Sequence, residues 1–357
     1  MEFCRPTAGF YLRTSENWFV ISSSSDIHNL LQAGFAFDYD HLTLAPRVVS
    51  RLRHRADARP TVDFAGTQLQ IPILGSPMPD VCGPDMCRAL ATRGGLGILH
   101  RFQQITDQVS GYRAASGGLP PTGLVAAAVG VSGDFEERFA ALYAAGCRVF
   151  CLDTANGAHE QAGRAIENAR KIAGDVFLIA GNVATAEGFG WLEERGADAI
   201  RVGIAGGSVC ETRTETGVFV PTPYAVAEAL SVRQRALVIA DGGVRSPADA
   251  CKLLALGADA VMVGSALAGT REAPGPVLVI DGKRHKVMRG AASFSVQVGH
   301  GNLDPEYIEG AETIVSYKGD VADVLDRYLA GLQSSMSYLD ARTLNEYRAN
   351  ARFLLLR

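Results

Sequence analysis

Short apolar runs alternate with longer amphipathic stretches along most of this chain. Eight runs rich in aliphatic and β-branched residues begin near Ile71, Gly95, Gly123, Arg148, Val176, Ala199, Ala236 and Ala260. Almost continuous apolar runs of this kind are typical of parallel strands that are buried on both faces. The pattern therefore predicts an α/β protein in which helices cover a parallel sheet.

The stretches between the runs have the spacing of helices that bury one face. The clearest examples are Asp134 to Ala145, Glu160 to Ala173, Ala186 to Arg195 and Ser246 to Leu256. Glycines mark the ends of these stretches, as at Gly196 and Gly257, which is common after the last turn of a helix. The sequence thus predicts repeated strand–helix units.

Eight such units within about 250 residues match a (β/α)8 TIM barrel. A doubly wound open sheet is the competing architecture, but no G-x-G-x-x-G motif follows the first strand. We divide the chain into an N-terminal extension, residues 1–34, and a single barrel domain, residues 35–357. The extension includes a serine tract, Ser22 to Ser25, for which we predict flexibility, and it has no assignable role.

Two connections are longer than the others. The first follows the sixth strand and contains Cys210, and the second runs from Ala266 to Tyr317, before a closing helix near Asp320 to Leu332. The loops that follow the strands form the catalytic face of such barrels. We therefore expect both long segments to meet at one rim.

Charge and hydropathy restrict the partners. The net charge is −4 and no long basic or acidic run occurs, so binding to nucleic acid or to a membrane surface has no electrostatic support. No apolar run reaches the ~18 residues that span a bilayer, and the first 34 residues lack the apolar core of a secretory signal. We predict a cytoplasmic protein.

The seven cysteines are scattered, and none forms a Cys-x-x-Cys pair, which favours reduced thiols over disulfides or structural zinc. Cys147, Cys151 and Cys251 lie in apolar segments and are predicted to be core residues. Cys210 lies instead in a polar, glycine-rich loop beside Arg213, where a thiol can act as a nucleophile. A buried small hydrophobe is the alternative interpretation of Cys210.

Polar residues and glycines follow several predicted strands. Ala240 to Gly243 ends the seventh strand and Val263 to Ser265 ends the eighth, the two positions at which barrels commonly bind a phosphate. Asp241 is then a candidate acceptor for ribose hydroxyls. Two plain glycine turns are the alternative reading of this pair.

Three further polar residues have a functional and a plain interpretation. Asp153 and Asn182 follow the fourth and fifth strands, on the predicted catalytic face, where a capping or turn role is equally possible. Glu309 lies in the second long segment and is by itself only a solvated carboxylate.

Several motifs together resemble the inosine-monophosphate dehydrogenase and guanosine-monophosphate reductase family. They are LDTANG (152–157), AGNVAT (180–185), VGIAGGSVCETRTETG (202–217), ADGG (240–243) and YKGDV (317–321). The similarity extends from about Asp38 to the C-terminus, and the motifs occur in the family's order at the ends of predicted strands.

The resemblance implies a set of roles. Cys210 would attack C2 of a purine nucleotide, and Thr212 and Glu309 would relay a proton to the departing amine. The residues implied to bind the purine-type nucleoside monophosphate are Ser208, Asp241, Gly242, Gly243, Gly264, Ser265, Gly290, Ala291 and Ala292. The residues implied to contact a nicotinamide cofactor, NADPH, are Ser50, Arg51, Arg101, Asp153, Asn182, Gly203 and Ser335. The carbonyls of Ala205, Gly207 and Cys210 match a monovalent-cation site for K+, although the family usually has glycine at the first position. The resemblance further implies a homotetramer.

Two features favour the reductase branch over the dehydrogenase branch. No arginine occurs between Arg289 and Arg327, where the dehydrogenase carries a catalytic Arg-Tyr pair. The short path from His100 to Gly123 leaves no room for the regulatory CBS insertion of the dehydrogenase. The implied reaction is the NADPH-dependent conversion of GMP to IMP and ammonia through a covalent thioimidate on Cys210. Oxidation of IMP is the alternative.

The residues implied to face the base depart from the family pattern. Gly290-Ala291-Ala292 replaces Gly-Met-Ser or Gly-Met-Gly, and Met288 replaces an aromatic residue. Other departures are Pro79, Asp80, Arg101, Glu306 and Ile308. We therefore also consider a 7-deazaguanine nucleotide of nucleoside-antibiotic biosynthesis as the substrate.

Two interpretations from other classes remain. Residues 241–265 also resemble the phosphate site of FMN-binding oxidase barrels, which would leave Cys210 without a role. A non-catalytic nucleotide sensor is the other, because the altered base loop is compatible with lost activity.

Overall fold

A computed structural model describes residues 19–21, 31, 35–47, 49–299 and 310–356 of the chain. Its strands are β1 (Phe19–Ile21), β2 (Leu42–Leu44), β3 (Val62–Phe64), β4 (Thr67–Leu69), β5 (Ile73–Gly75), β6 (Leu96–Leu99), β7 (Leu124–Val129), β8 (Val149–Asp153), β9 (Phe177–Val183), β10 (Ala199–Val202), β11 (Leu237–Asp241), β12 (Ala260–Val263), β13 (Leu278–Ile280), β14 (Lys283–Arg289), β15 (Glu312–Ser316) and β16 (Phe353–Leu355). Its α-helices are α1 (Pro84–Thr92), α2 (Ile105–Ser116), α3 (Phe135–Ala144), α4 (Glu160–Ile172), α5 (Ala186–Glu194), α6 (Thr212–Thr216), α7 (Thr222–Val232), α8 (Pro247–Leu256), α9 (Phe294–Gly299), α10 (Val321–Tyr338) and α11 (Leu344–Asn350).

Strands β5 to β12 form a closed parallel barrel, which confirms the predicted architecture. Each strand pairs with the next, and β12 pairs with β5 to close the ring, as Val261 with Ile73 and Val263 with Gly75. The observed strands begin within two residues of the predicted starts. The predicted helices between them are also present.

Alternate residues of the strands divide the core into two layers. One side packs against the surrounding helices, and the other fills the barrel interior with residues such as Leu74, Ile98, Ile179 and Met262. Phe64 and Leu69 of the β3–β4 hairpin belong to this interior cluster. The hairpin precedes β5, so it closes the end of the barrel at which the strands begin.

Helix ends are fixed by side chains and by glycine. Ser246 caps α8 in a reciprocal arrangement with Asp249, and Thr185 caps α5. Gly196 and Gly257, the predicted helix-end glycines, have φ of 98° and 133°, backbone conformations that other residues rarely adopt.

Besides the β3–β4 hairpin, segments outside the barrel form two three-stranded antiparallel sheets. Strand β16 pairs with β1 and with β2, so a part of the predicted N-terminal extension is joined to the C-terminal segment. Strands β13, β14 and β15 form the second sheet, within the long excursion after the eighth barrel strand. Ser22 to Ser25 lie outside the described residues. None of the described helices is long and apolar enough to cross a membrane.

Candidate active site

A two-lobed cleft opens where the barrel strands end. The arginine lobe, a cavity of about 330 Å³, contains Arg101, Asp153, Asn182, Arg201 and Thr212 in its walls. The glycine lobe, about 460 Å³, contains Ser208, Gly243, Gly264 and Ser265. Cys210, Asp241 and Gly242 line both lobes. The two long connections therefore do meet at one rim.

Cys210 lies at the junction of the lobes. Its N–H donates to the Gly207 carbonyl at 3.2 Å, and its backbone forms an antiparallel bridge with Gly310. The thiol donates to Thr212 Oγ1 at 3.2 Å. Of the six cysteines in the described part of the chain, all free, only Cys210 is not buried. The buried positions of Cys147, Cys151 and Cys251 confirm their predicted place in the core.

Arg201 lies beneath the arginine lobe and joins two carboxylates. Its side chain is only 7% exposed. Nη1 donates to Asp153 Oδ1 at 2.6 Å, while Nε and Nη2 donate to Asp241 Oδ2 at 3.1 and 2.9 Å. A guanidinium between two carboxylates is a favourable arrangement for buried charge, since each charge has a partner and hydrogen bonds.

Asp153 is held ionised by its neighbours. Arg101 Nε donates to Asp153 Oδ2 at 3.3 Å, opposite the contact with Arg201. Burial raises the pKa of Asp153, but the charges of Arg201 and Arg101 outweigh burial and hold this pKa below its usual range. The carboxylate is therefore a fixed negative charge in the arginine lobe.

Asp241 has one oxygen saturated and one available. Oδ2 accepts from Asn182 Nδ2 at 2.8 Å in addition to the two bonds from Arg201. None of the described residues donates to Oδ1. Asn182 Nδ2 also donates to the Gly203 carbonyl at 2.8 Å, which orients the amide between the two strand ends. A hydroxyl donor in the cleft can thus bind Oδ1.

The turn after β11 is shaped to receive an anion. Gly242 and Gly243 have φ of 100° and 76°, and a Cβ on Gly243 would lie 2.7 Å from Tyr39 Cε2. The Tyr39 hydroxyl donates to the Gly242 carbonyl at 2.7 Å, and Lys252 Nζ donates to the Tyr39 carbonyl at 2.8 Å. Consecutive glycine N–H groups in a turn of this kind form a concave site for anions.

A lysine supports the neighbouring turn. Lys318 Nζ donates to the Ser265 carbonyl at 2.6 Å. Because a carbonyl that accepts a hydrogen bond is held in place, the Gly264–Ser265 turn has a fixed orientation towards the glycine lobe.

The remaining predicted residues fall into three groups. Gly203, Ala205, Gly207, Gly290, Ala291 and Ala292 all line the arginine lobe. Ser50, Arg51 and Ser335 line neither lobe: Arg51 N–H bonds Asp340 Oδ1 at 2.7 Å, and Ser335 Oγ lies 2.6 Å from the Tyr347 hydroxyl. Glu309, like Glu306 and Ile308, lies outside the described residues.

No cluster of three or more His, Cys, Asp or Glu side chains is placed to bind a metal ion among the described residues. The predicted cation ligands are carbonyls instead. Ala205 has a φ of 61°, so the loop adopts the left-handed conformation at this position although the residue is not glycine. The Gly207 carbonyl already accepts the Cys210 N–H, which leaves it one lone pair.

Two residues that shape the cleft were not found from the sequence. Arg201 carries a visible signal, because a charge inside an apolar strand requires a buried partner. Tyr39 carries none, since only the folded chain brings it to a turn 203 residues away in sequence.

The described geometry can be compared with known proteins. The family described as "IMP dehydrogenase / GMP reductase domain" matches residues 36–356. Inosine-5'-monophosphate dehydrogenases from Nitrosopumilus maritimus (strain SCM1) and Aquifex aeolicus (strain VF5) are 43% and 42% identical to the chain, over 65% and 64% of its length. The matches cover 51% and 49% of those proteins, so the chain spans about half the length of the curated relatives it matches.

One solved structure covers more of the chain. A GMP reductase variant from Trypanosoma brucei, in complex with guanosine 5'-monophosphate, is similar with a TM-score of 0.85 and 26% identity. The likeness extends over 90% of this chain and 95% of that one.

Proposed function

This chain belongs to the IMP dehydrogenase / GMP reductase family, and from that premise we propose that it removes the C2 amine of a guanine-type nucleoside monophosphate reductively. For GMP the balanced reaction is GMP + NADPH + H+ giving IMP + NH3 + NADP+. Members of the family are oxidoreductases that act on purine nucleotides. For this chain we propose the direction of the reaction, reduction, and the cofactor, NADPH.

The contact between Cys210 and Thr212 carries the proposal. A thiol at the junction of two lobes can reach a base that lies between a phosphate site and a second ligand site. The Thr212 hydroxyl lies 3.2 Å from this sulfur, so it is near the carbon to which the sulfur would bond. A nucleophile and a hydroxyl on one carbon are what displacement of an amine requires.

The chain's own residues account for the first half of the reaction. The Cys210 sulfur forms a bond to C2, and its proton passes through Thr212, the acceptor of the thiol's hydrogen bond, to Glu309. The bond between C2 and the exocyclic nitrogen then breaks, with Thr212 delivering a proton to the nitrogen so that it leaves as ammonia. In the proposal Glu309 supplies this proton to Thr212. The sulfur remains bonded to C2 until hydrogen replaces it and the thiolate is released.

The arginine lobe fits the nicotinamide cofactor. Its wall is charged and polar. It contains the guanidinium of Arg101, the carboxylate of Asp153, the amide of Asn182 and the main chain of Gly203. NADPH bound there would supply the hydride for C2. Asp153 and Arg101 would orient the ring, since each is already fixed by an ion pair. Binding of K+ by the carbonyls of Ala205, Gly207 and Cys210 is part of the same proposal.

The glycine lobe fits the nucleotide's phosphate and ribose. Ser208, Gly243, Gly264 and Ser265 line it, and two of its turns are held by Tyr39 and Lys318. Asp241 Oδ1 is available for a ribose hydroxyl. This arrangement orients the base towards Cys210, which lines both lobes.

The segment that would contact the base is compatible with two substrates. Ala291 and Ala292 bring only methyl groups to the arginine lobe, so base contacts from this segment come from its main chain. We therefore include a 7-deazaguanine nucleotide beside GMP as a substrate within the same proposal.

The experiment uses the full chain with GMP, or a 7-deazaguanine nucleotide, and NADPH. We expect loss of NADPH absorbance together with equal amounts of ammonia and a product lacking the C2 amine, identified by mass spectrometry. Cys210→Ala should abolish turnover, whereas Cys251→Ala, a buried thiol outside the cleft, should retain it. Nucleotide binding without turnover would instead indicate a sensor, and a bound flavin would indicate the FMN-type alternative.

Oxidation of IMP is the second candidate function. The observation in its favour is that the curated relatives above, both named as dehydrogenases, are more similar in sequence than the reductase structure, at 43% and 42% against 26% identity. Incubation with IMP and NAD+ tests it directly. Formation of XMP with no reductive deamination of GMP would replace the first proposal.

A further inference from the structure

An ion pair with a buried carboxylate lies behind the part of the cleft that borders Cys210. Asp80 follows β5 and has a side chain 3% exposed, and Arg289 is the last residue of β14. Arg289 donates its main-chain N–H and its Nε to Asp80 Oδ2, at 3.0 and 2.7 Å, and its Nη2 to Oδ1 at 2.5 Å. One residue thus holds both carboxylate oxygens, an arrangement that fixes direction as well as distance.

Main-chain hydrogen bonds connect this ion pair to the proposed nucleophile. Gly290, next to Arg289, donates its N–H to the Ala311 carbonyl at 2.9 Å. Ala311 in turn donates its N–H to the Val209 carbonyl at 3.0 Å, and Gly310 forms a bridge with Cys210. The end of β14, residues 310–311 and the Val209–Cys210 segment therefore form one hydrogen-bonded layer.

Close packing prevents the strands of this layer from moving separately. A Cβ on Gly290 would lie 2.7 Å from the Val209 carbonyl oxygen. A Cβ on Gly310 would lie 2.6 Å from the Ser293 nitrogen. Both distances are far below van der Waals contact, so the backbones already touch. A shift at Arg289 would be passed to Cys210 and to the 290–292 loop.

Neither Asp80 nor Arg289 lines the cleft. We propose that Asp80 is a positioning residue for the base side of the site. Its ion pair with Arg289 holds Gly290–Ala292 against the nucleobase and holds Cys210 opposite the carbon that it attacks. This inference rests on the proposed function, since it requires a nucleoside monophosphate with its base beside Cys210, between the two lobes.

A purely structural ion pair would behave differently from a positioning one. Loss of a structural pair lowers stability but has no reason to distinguish one part of the ligand from another. Loss of a positioning pair on the base side weakens binding of the base, while the phosphate and ribose contacts in the glycine lobe are retained. Ribose 5-phosphate carries only those latter groups and therefore serves as the probe for them.

The test compares Asp80→Asn and Arg289→Gln in the full chain. Dissociation constants for GMP and for ribose 5-phosphate are measured by calorimetry, together with kcat and KM for GMP. We expect GMP binding to weaken by roughly 10-fold and ribose 5-phosphate binding to change by less than about twofold. Arg289→Gln provides the result if Asp80→Asn does not fold, because the Arg289 side chain is 34% exposed and tolerates change better.

Asp259→Asn is the matched control. Asp259 is likewise a buried carboxylate, 7% exposed and paired with Arg233 and Arg348, but it precedes β12 at the closed end of the barrel. The control should lower stability and leave both dissociation constants unchanged. The same selective loss of GMP binding in the control would overturn the proposal.

The remaining outcomes separate the two proposals. If Asp80→Asn and Arg289→Gln weaken GMP and ribose 5-phosphate equally, or weaken neither, the positioning role is wrong and the proposed function stands. If the unmodified chain binds ribose 5-phosphate but no GMP, the proposed function is wrong and the positioning role is overturned with it.

Discussion

Arg201 binds Asp241 through two nitrogens on a single oxygen, with Nε and Nη2 at 3.1 and 2.9 Å from Oδ2. The same guanidinium binds Asp153 through Nη1. One buried cation therefore links the carboxylate beside the glycine lobe to the carboxylate inside the arginine lobe. Any change at Arg201 affects both proposed ligand sites at once.

Removal of this cation should be costly. Arg201→Met leaves Asp153 and Asp241 as neighbouring buried carboxylates, and we expect the free energy of unfolding to fall by about 3–5 kcal/mol. Arg201→Lys keeps the positive charge but not the planar guanidinium that binds both carboxylates. The free energy of unfolding should therefore fall by less in this variant. Urea denaturation measures both. Arg170→Met, which breaks a pair 28% exposed at each side chain, is the control and should cost less; equal losses would contradict the argument.

The Thr212 hydroxyl can be tested separately from the thiol. Thr212→Val keeps the shape of the side chain but removes the group that receives the Cys210 contact. If Thr212 delivers the proton, single-turnover ammonia release should slow by roughly 100-fold or more. Thr212→Ser should retain most of the rate. Thr92→Val, whose hydroxyl bonds the Arg88 carbonyl in α1 outside both lobes, should be unaffected; a full rate in Thr212→Val would remove Thr212 from the reaction.

Tyr39→Phe removes a hydroxyl that orients the turn after β11. The Gly242 carbonyl loses its 2.7 Å donor, and a lost hydrogen bond costs about 0.5–1.5 kcal/mol. We expect GMP to bind roughly 2- to 10-fold more weakly. Guanosine, which lacks the phosphate, should bind as before. In Tyr112→Phe the lost hydroxyl bonds Gly146 away from the cleft, so unchanged GMP binding is expected there.

Gly243→Ala tests how closely the same turn is packed. The new Cβ would lie 2.7 Å from Tyr39 Cε2, at a residue whose φ is 76°. Gly118→Ala has a similar φ of 70° but no atom within 4 Å of the new Cβ, so it isolates the backbone cost of about 1 kcal/mol. Thermal denaturation should show a larger loss for Gly243→Ala. Equal losses would mean that Tyr39 moves aside without cost.

His100 predicts the pH dependence of stability. Burial lowers the pKa of His100 to about 4, against an opposing effect of Asp80, and its buried Nδ1 has no hydrogen-bond partner among the described residues. The unfolded chain, with a histidine pKa near 6.5, binds more protons between these values, so stability should fall as pH drops from about 6.5 to about 4. The contribution is on the order of 3 kcal/mol.

Replacement of this histidine should flatten that part of the profile. Urea denaturation of His100→Gln across the same pH range should show a weaker slope than the unmodified chain. His54→Gln, a change on the surface, should keep the original slope. An unchanged slope in His100→Gln would assign the pH dependence to other groups.

The barrel could be predicted because its signal is repeated eight times along the chain. An apolar run such as 199–203 and a helix-ending glycine such as Gly196 each depend only on neighbouring residues. The predicted places of Cys210, Asp241 and Gly243 in the cleft follow from the rule that loops after strands share one face.

The contacts between side chains could not be predicted in the same way. The bonds from Arg201 to Asp153 and Asp241 span 48 and 40 residues, and that of Arg289 to Asp80 spans 209. They depend on strand register and rotamers, which a one-dimensional pattern does not specify. The family resemblance likewise did not predict side-chain positions outside the barrel strands. It implied a cofactor contact for Ser50, Arg51 and Ser335, which lie outside the cleft in this chain. Their contact with a cofactor stays a prediction.

The β3–β4 hairpin blocks one end of the barrel. Phe64 and Leu69 fill one end of the barrel interior, so ligands enter and leave the cleft from the opposite end. The turn of the hairpin, at Ala65 and Gly66, lies at the end of the barrel opposite the cleft. A tag or surface tether attached there would leave the cleft accessible.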